Sequence, residues 1–313
     1  MKTLIIDDVH FYLIDKLRSE GFELLYKPDI KEDEFLQLLP SIEIMVVRSK
    51  FKITQFVIEK AQKLKLIARA GAGMDNIDVE EAEKHKITLV NAAEGNRNAV
   101  AEHALSLLLN VFNKINQGDS QVRNQIFDRE TNRGEELAGK TIGIIGYGNT
   151  GKAFAKILSG FDVEVLAYDR YLKNYSDQYA RESSMEEINN LSDIISLHVP
   201  LDASNKELFN QQYYNRFKKP IFIINTSRGE LLQFDILLNL INKSKISGFG
   251  LDVFENEKFE TFTNKQKVQF SKLSEYPFGI FSPHVAGWTT RSYLKISEVL
   301  AKKIIQFKNN FHE

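Results

Sequence analysis

The chain has 313 residues, 43% of them hydrophobic, with 41 lysines and arginines against 42 aspartates and glutamates. That length exceeds one typical domain and implies two, while near-cancelling charge without a basic arm or long like-charge block argues against nucleic-acid and membrane-surface partners. The absence of cysteine excludes disulfides, thiolate metal sites and cysteine nucleophiles; no apolar run approaches a membrane span, and "MKTLIIDDVH" meets two aspartates too early for a signal peptide, so a cytoplasmic protein is expected.

Along the chain, short apolar runs alternate with amphipathic stretches, the pattern of parallel strands joined by helices. Strands are expected at "TLIID", "FELLY", "IEIMVV", "LKLIARA" and "ITLVNA", all before residue 93. The segment "NAVAEHALSLLLNVFNKINQ" follows, expected as one connector helix crossing from the first domain to the second. A second strand series reads "KTIGIIG", "VEVLAYD", "DIISLHV", "PIFIINTS", "ISGFGLDVF" and "FGIFSPHV". Within it, "FENEKFETFTNKQKVQFSKLSEY" is expected to be an irregular, exposed insertion, and the last helix, from about Thr289, to return to the first domain. The fold class is therefore α/β, with two doubly wound parallel-sheet domains, residues 1–95 with 286–313 and residues 96–285, and a ligand cleft expected between them.

The strongest single motif is "KTIGIIGYGNTGKAFAKILSGFDVEVLAYDR". Gly146, Gly148 and Gly151 form G-x-G-x-x-G between an apolar strand and an apolar helix. The first glycine permits the tight turn, the second the approach of a pyrophosphate, and the third close helix–strand packing. The helix N-terminus then offers free N–H groups to phosphates. Asp169 ends the next strand, where a carboxylate binds the ribose hydroxyls of NAD and repels the extra phosphate of NADP. Its neighbour Arg170 leaves tolerance of NADP open. A Rossmann-type NAD-binding domain is the expectation, with no metal site.

A dinucleotide site implies hydride transfer, and oxidising an alcohol also needs a base for the hydroxyl proton. Among six histidines, His284 of "FSPHVAGWTT" suits that task, because imidazole titrates near neutral pH. Arg228 of "NTSRGELL" and Glu257 of "GLDVFENEKFE" likewise follow apolar strands, and residues beyond the carboxyl ends of parallel strands converge on the ligand. His198 reads as structural rather than catalytic, and His103 as a packing or interface residue.

The chain resembles the D-2-hydroxyacid dehydrogenases, and within them the D-3-phosphoglycerate dehydrogenases. The matching stretches, in order, are "VVRSKFKIT", "LKLIARAGAGMDNIDVEEA", "VNAAEGNRNAVAEHALSLLL", "LAGKTIGIIGYGNTG", "LHVPL", "NTSRGELL", "GLDVFENE" and "SPHVAGWT". The resemblance implies a flavodoxin-like substrate domain beside the Rossmann-type one, and a catalytic set of Arg228, Glu257 rather than Glu255, and His284. It also implies cofactor contacts at Asn149, Thr150, Val199, Pro200, Thr226, Ser227, Asp252 and Gly287, substrate-carboxylate binding by the N–H groups of Ala72 and Gly73, and a homodimer formed through the connector helix. The family often has proline where Lys258 follows Glu257, so the local turn is expected to differ. With the sequence ending at Glu313, no appended regulatory domain is expected.

The small-molecule substrate is less constrained. A phosphorylated acid needs a cationic subsite at its far end. Arg48 and Lys50 of "VRSKFK", with Lys52 nearby and Arg69 of "IARAG", offer one, while Arg129 and Arg133 could serve a neighbouring subunit. Oxidation of D-3-phosphoglycerate to 3-phosphohydroxypyruvate, the entry to serine synthesis in the resembling family, leads. Reduction of hydroxypyruvate, glyoxylate or another 2-keto acid is the alternative, and an NAD-sensing corepressor-like protein a third.

Overall fold

In the computed structural model, which describes residues 1–311, the chain separates into two compact units. One comprises residues 1–97 with the chain from Trp288 onward, the other Asn98–Gly287. Both divisions fall two residues later than the boundaries read from sequence.

The smaller unit holds five parallel strands, β1 (Lys2–Ile5), β2 (Glu23–Tyr26), β3 (Ile44–Val47), β4 (Leu66–Arg69) and β5 (Thr88–Asn91), in the order β2-β1-β3-β4-β5. That is a doubly wound order, so side chains must be buried on both faces. Strand β3 reads IMVV and all four residues are buried. Successive side chains alternate between two cores. Leu4, Met45, Val47 and Ile67 meet Phe35 of α2 (Glu32–Leu38) and Ile58 of α3 (Gln55–Lys60). Ile5, Ile44, Val46 and Leu66 meet Leu13 and Leu17 of the first helix, α1 (Phe11–Ser19), and Leu300 and Ile304 of the C-terminal helix (Thr290–Phe311). A fourth helix, α4 (Val79–Lys84), is capped by the Asp78 carboxylate accepting from Glu81 N–H.

The expected single connector helix is two. Helix α5 (Ala93–Asn113) starts earlier than expected, Lys114 turns left-handed at φ +51°, and α6 (Ile115–Arg123) follows. A left-handed residue cannot continue a right-handed helix. Reciprocal hydrogen bonds hold this break, Asn110 Nδ2–H to Asn116 Oδ1 at 2.8 Å and Asn116 N–H to Asn110 Oδ1 at 3.1 Å.

The larger unit has seven parallel strands, β6 (Thr141–Ile145), β7 (Glu164–Tyr168), β8 (Arg181–Glu182), β9 (Ile194–Leu197), β10 (Ile221–Asn225), β11 (Ile246–Leu251) and β12 (Gly279–Phe281), in the order β12-β11-β10-β9-β6-β7-β8. Winding reverses between β6 and β9, the switch point outside which dinucleotides bind. Connections include α7 (Asn149–Leu158), α8 (Met185–Leu191), α9 (Ala203–Leu208), α10 (Gln211–Tyr214) and α11 (Phe234–Asn242).

The expected insertion is largely exposed, as anticipated, but it is not irregular. It folds into a 3-10 turn at Phe259–Thr261 and helix α12 (Asn264–Ser274), started by a capping box between Thr263 and Gln266. Its phenylalanines form a partly exposed aromatic cluster: Phe259 and Phe270 have centroids 5.2 Å apart, and Phe270 and Phe281 5.7 Å, with Phe259 still 54% exposed. No described helix is long and apolar enough to cross a membrane.

Candidate active site

In the larger unit, the functional residues read from sequence lie just past strand carboxyl ends. Gly146 turns the chain after β6 at φ +95°, and a Cβ on Gly151 would overlap its carbonyl oxygen. Helix α7 can therefore begin flush on the strand. Gly148 faces open space, with nothing within 4 Å of where its Cβ would stand, and no side chain caps α7. The first-turn N–H groups of α7, at Asn149 and Thr150, are accordingly open to an anion. Past β10, Thr226 Oγ1 is buried without a hydrogen-bond partner among the described residues, while Ser227 Oγ donates to Val199 O beside Pro200. An uncapped helix, an open glycine and an unpartnered hydroxyl fit a dinucleotide.

Asp169, after β7, accepts backbone N–H bonds from Tyr147 at 2.9 Å, Tyr171 at 2.9 Å and Leu172 at 3.1 Å. A carboxylate offers about four lone-pair sites, so about one remains for a ribose hydroxyl. Arg170 turns aside and its Nη1 donates to Ser204 Oγ.

The proton-transfer group is built on three neighbouring loops. Arg228 follows β10, with Nη1 donating to Ser227 O at 2.6 Å. Gly229 lets this loop press on the next: a Cβ there would overlap the Phe254 carbonyl. Glu257 follows β11 on that second loop. After β12, His284 donates from Nδ1 to the Glu257 carboxylate, at 2.8 Å to Oε1 and 2.9 Å to Oε2. A carboxylate only accepts, so Nδ1 carries a proton and Nε2 faces away from it. The hydrogen bond to Glu257 holds the imidazole pKa above its usual value, against the opposing effect of burial. By contrast, burial takes His198 down to about 4, and its Nε2 pairs with Ser196 Oγ at 2.8 Å. His198 is a neutral packing residue.

His284 adopts φ +54°, a left-handed conformation uncommon for a side-chain-bearing residue. Asp252 enforces it. Its carbonyl accepts His284 N–H at 2.8 Å, and its carboxylate accepts Val285 N–H at 2.9 Å and Ala286 N–H at 2.8 Å. The same carboxylate takes Ser282 Oγ–H at 2.6 Å, with His103 Nε2 at 3.4 Å. Burial opposes ionisation of Asp252, yet these hydrogen bonds hold its carboxyl below the ordinary value. Asp252 is fully buried under the histidine loop. Ser282 was missed in the sequence and His103 read as a packing or interface residue, because nothing in sequence joins positions so far apart.

In the smaller unit, the Asp7 carboxylate gathers the loop after β3, accepting N–H bonds from Arg48 at 2.6 Å, Ser49 at 3.3 Å and Lys50 at 3.2 Å. The Arg48 guanidinium lies over the Trp288 ring, 3.7 Å from its centroid. Lys50 is exposed. After β4, the Arg69 side chain folds across Gly71, where any Cβ would collide with its guanidinium. Ala72 and Gly73 follow, and their N–H groups donate to no described residue. Gly287, beyond the histidine loop, is half-buried.

Residues 105–286 match the family model described as D-isomer specific 2-hydroxyacid dehydrogenase, NAD binding domain. The chain belongs to this family. Its members are NAD-binding oxidoreductases, which accords with the glycine turn, the uncapped α7 and the pairing of His284 with Glu257. This member is 32% identical over 307 residues to a D-3-phosphoglycerate dehydrogenase of Archaeoglobus fulgidus, an alignment covering 97% of this chain and 57% of that relative. It thus spans little more than half of that relative's length. A hydroxypyruvate reductase of Thermotoga maritima is 30% identical, with 93% of this chain and 96% of the relative aligned. A solved D-lactate dehydrogenase of Aquifex aeolicus, complexed with NAD and lactic acid, superposes with a TM-score of 0.83 at 27% identity, covering 99% of this chain and 96% of that one.

Proposed function

We propose that this chain interconverts a D-2-hydroxy acid and its 2-keto acid, with D-3-phosphoglycerate and 3-phosphohydroxypyruvate the preferred pair, as in the entry to serine synthesis. The observation that carries the chemistry is the hydrogen bond from His284 Nδ1 to Glu257, close to a loop bearing Arg228. During oxidation His284 Nε2 takes the hydroxyl proton, and the resulting imidazolium shares its charge with Glu257. Arg228 holds the carboxylate and the reacting oxygen through its planar fork of donors. Bound NAD, held by Gly146, Gly148, Asn149, Thr150, Gly151 and Asp169 with Val199, Pro200, Thr226, Ser227 and Gly287 nearby, supplies the hydride acceptor. In reduction His284 returns the proton.

Preference for a phosphorylated acid is supported by Arg48, Lys50 and Arg69, and carboxylate binding by the N–H groups of Ala72 and Gly73. The alternative, an unphosphorylated keto acid such as hydroxypyruvate, draws support from the full-length alignment to a hydroxypyruvate reductase. NADH oxidation with 3-phosphohydroxypyruvate, hydroxypyruvate, glyoxylate and pyruvate separates the two. A kcat/KM advantage of about 100-fold for the phosphorylated acid, about 2.7 kcal/mol of discrimination, is expected; a higher value for an unphosphorylated acid would replace the leading substrate.

We also propose a homodimer. Ile115 and Val122 lie seven positions apart on one face of α6, and with Ile126 and Phe127 just beyond the helix all are exposed, Phe127 by 84%. An exposed apolar patch can be self-complementary across a two-fold axis. Val122→Glu is expected to halve the mass measured by light scattering; an unchanged mass would place the contact elsewhere.

A further inference from the structure

Tyr147, between Gly146 and Gly148 of the glycine turn, is fully buried, and both of its polar ends reach the segment that follows β7. Its backbone N–H donates to Asp169 Oδ2 at 2.9 Å, and its hydroxyl donates to the Asp177 carboxylate, at 2.9 Å to Oδ1 and 3.0 Å to Oδ2. Asp177 also accepts Tyr179 N–H at 2.8 Å and Ala180 N–H at 3.1 Å, which closes the far end of the segment. Tyr175 stands beside Tyr147, with ring centroids 5.4 Å apart. Its hydroxyl accepts Asp169 N–H at 2.8 Å and donates to Ala167 O of β7 at 2.9 Å, while its backbone N–H donates to Glu182 of β8 at 3.1 Å. Burial raises the pKa of both phenols, that of Tyr175 to about 12, so both hydroxyls keep their protons.

Asp169 is therefore held at its main chain by the Tyr175 hydroxyl and at its carboxylate by three backbone N–H groups, one of them from the glycine turn itself. Turning the carboxylate aside breaks those three bonds together. Arg170 is engaged as well: its guanidinium donates to Ser204 Oγ, and the Ser204 hydroxyl donates to Asp202 Oδ1 at 2.6 Å. A cofactor bearing a 2′-phosphate is accommodated when the acidic residue yields and a neighbouring cation turns in. Both movements are obstructed here. Like charge rejects a competitor only as far as the charge is unable to move away.

We propose that Tyr175 and Asp177 are positioning residues for cofactor choice: by clamping the segment that carries Asp169 and Arg170 to the glycine turn through Tyr147, they make the chain strict for NAD(H) over NADP(H). This rests on the glycine turn and Asp169 as the dinucleotide site, and not on which acid is the substrate. Neither residue needs to touch the cofactor. Losing the Tyr175 hydroxyl frees the Asp169 main chain, so the carboxylate yields and Arg170 is able to turn toward a 2′-phosphate.

The test is the pair of dissociation constants for NADH and NADPH, read from nicotinamide fluorescence without substrate, for the unaltered chain, Tyr175→Phe, Asp177→Ala, Asp169→Ala and Tyr175→Phe combined with Arg170→Ala. The unaltered chain should bind NADH about 100-fold more tightly than NADPH or better. Tyr175→Phe and Asp177→Ala should each narrow that ratio about tenfold, with NADPH binding gaining and NADH binding losing. Adding Arg170→Ala to Tyr175→Phe should take the NADPH gain away. Unfolded protein lowers the competent fraction equally for both cofactors, so the ratio is unmoved by a mere loss of stability. If Asp169→Ala collapses the ratio while Tyr175→Phe and Asp177→Ala leave it within about twofold, the clamp is overturned and Asp169 keeps its place at the cofactor. If Asp169→Ala also leaves the ratio unchanged, the assignment of Asp169 falls and the clamp with it. Equal affinity of the unaltered chain for the two cofactors would overturn the strictness.

Discussion

His284 and Glu257 are joined by a hydrogen bond of 2.8 Å from the imidazole Nδ1, although they come from loops following different strands. The bond raises the histidine's pKa, which fixes the sign of the pH dependence. Reduction requires the imidazolium, so its kcat/KM should fall as pH rises through the raised pKa. Oxidation requires neutral imidazole and should rise through the same value. Glu257→Gln removes the charge that favours the imidazolium, so both limbs should move to lower pH. Profiles of kcat/KM against pH in both directions check this, and limbs that stay in place would remove Glu257 from the role.

Replacing the imidazole itself should be more severe. Asparagine tolerates the left-handed conformation at position 284 better than most residues, so His284→Asn should keep the loop and lose the base. Turnover should drop about 10²- to 10⁴-fold, while NADH binding, followed by its fluorescence, stays near that of the unaltered chain. A near-normal kcat would shift proton transfer to another group.

How much of this was legible beforehand depended on whether the signal was local. Parallel strands buried on both faces read as continuous apolar runs, so the 11 runs quoted from the sequence each correspond to a strand; β8, two residues reading Arg-Glu, carries no such signal. The glycine turn was legible because each glycine answers a backbone demand within six residues. The histidine loop was legible only in part. His284 and Glu257 follow recognisable strands, but what holds His284 in place is Asp252 with Ser282 and His103, whose contact spans 179 positions between His103 and Ser282. Helix α12 was hidden because only Leu273 of it is buried and polar residues dominate the segment, although the Thr263–Gln266 capping box was present in the sequence.

Gly229 separates packing from chemistry. A Cβ there would meet the backbone of Phe254 and Glu255 rather than a flexible side chain, so relief requires the Arg228 loop or the Glu257 loop to move. Gly229→Ala should cost about 1–3 kcal/mol and reduce kcat beyond what the loss of folded protein explains. Thermal denaturation and kcat per folded molecule measure the two effects. A variant with full activity and unchanged melting would mean that the loops do not depend on this close approach.

Asp252 makes the strongest prediction about stability. Its carboxylate accepts from Val285 N–H, Ala286 N–H and Ser282 Oγ–H while fully buried. Asparagine is nearly isosteric but presents an NH₂ in place of one oxygen, setting a donor against a donor. Leaving such a buried group unsatisfied costs about 1–3 kcal/mol, and the freed turn would no longer hold His284 at φ +54°. Asp252→Asn should therefore lower both Tm and kcat. The pH dependence follows from the depressed pKa: the ionised carboxylate contributes stability above the ordinary aspartate value, and this is lost as pH falls through the folded-state value. Asp252→Asn should abolish that part of the acid sensitivity, so the gap in Tm between the two proteins should narrow on acidification. A gap that stays constant down to low pH would show that the charge of Asp252 is not what secures the histidine loop.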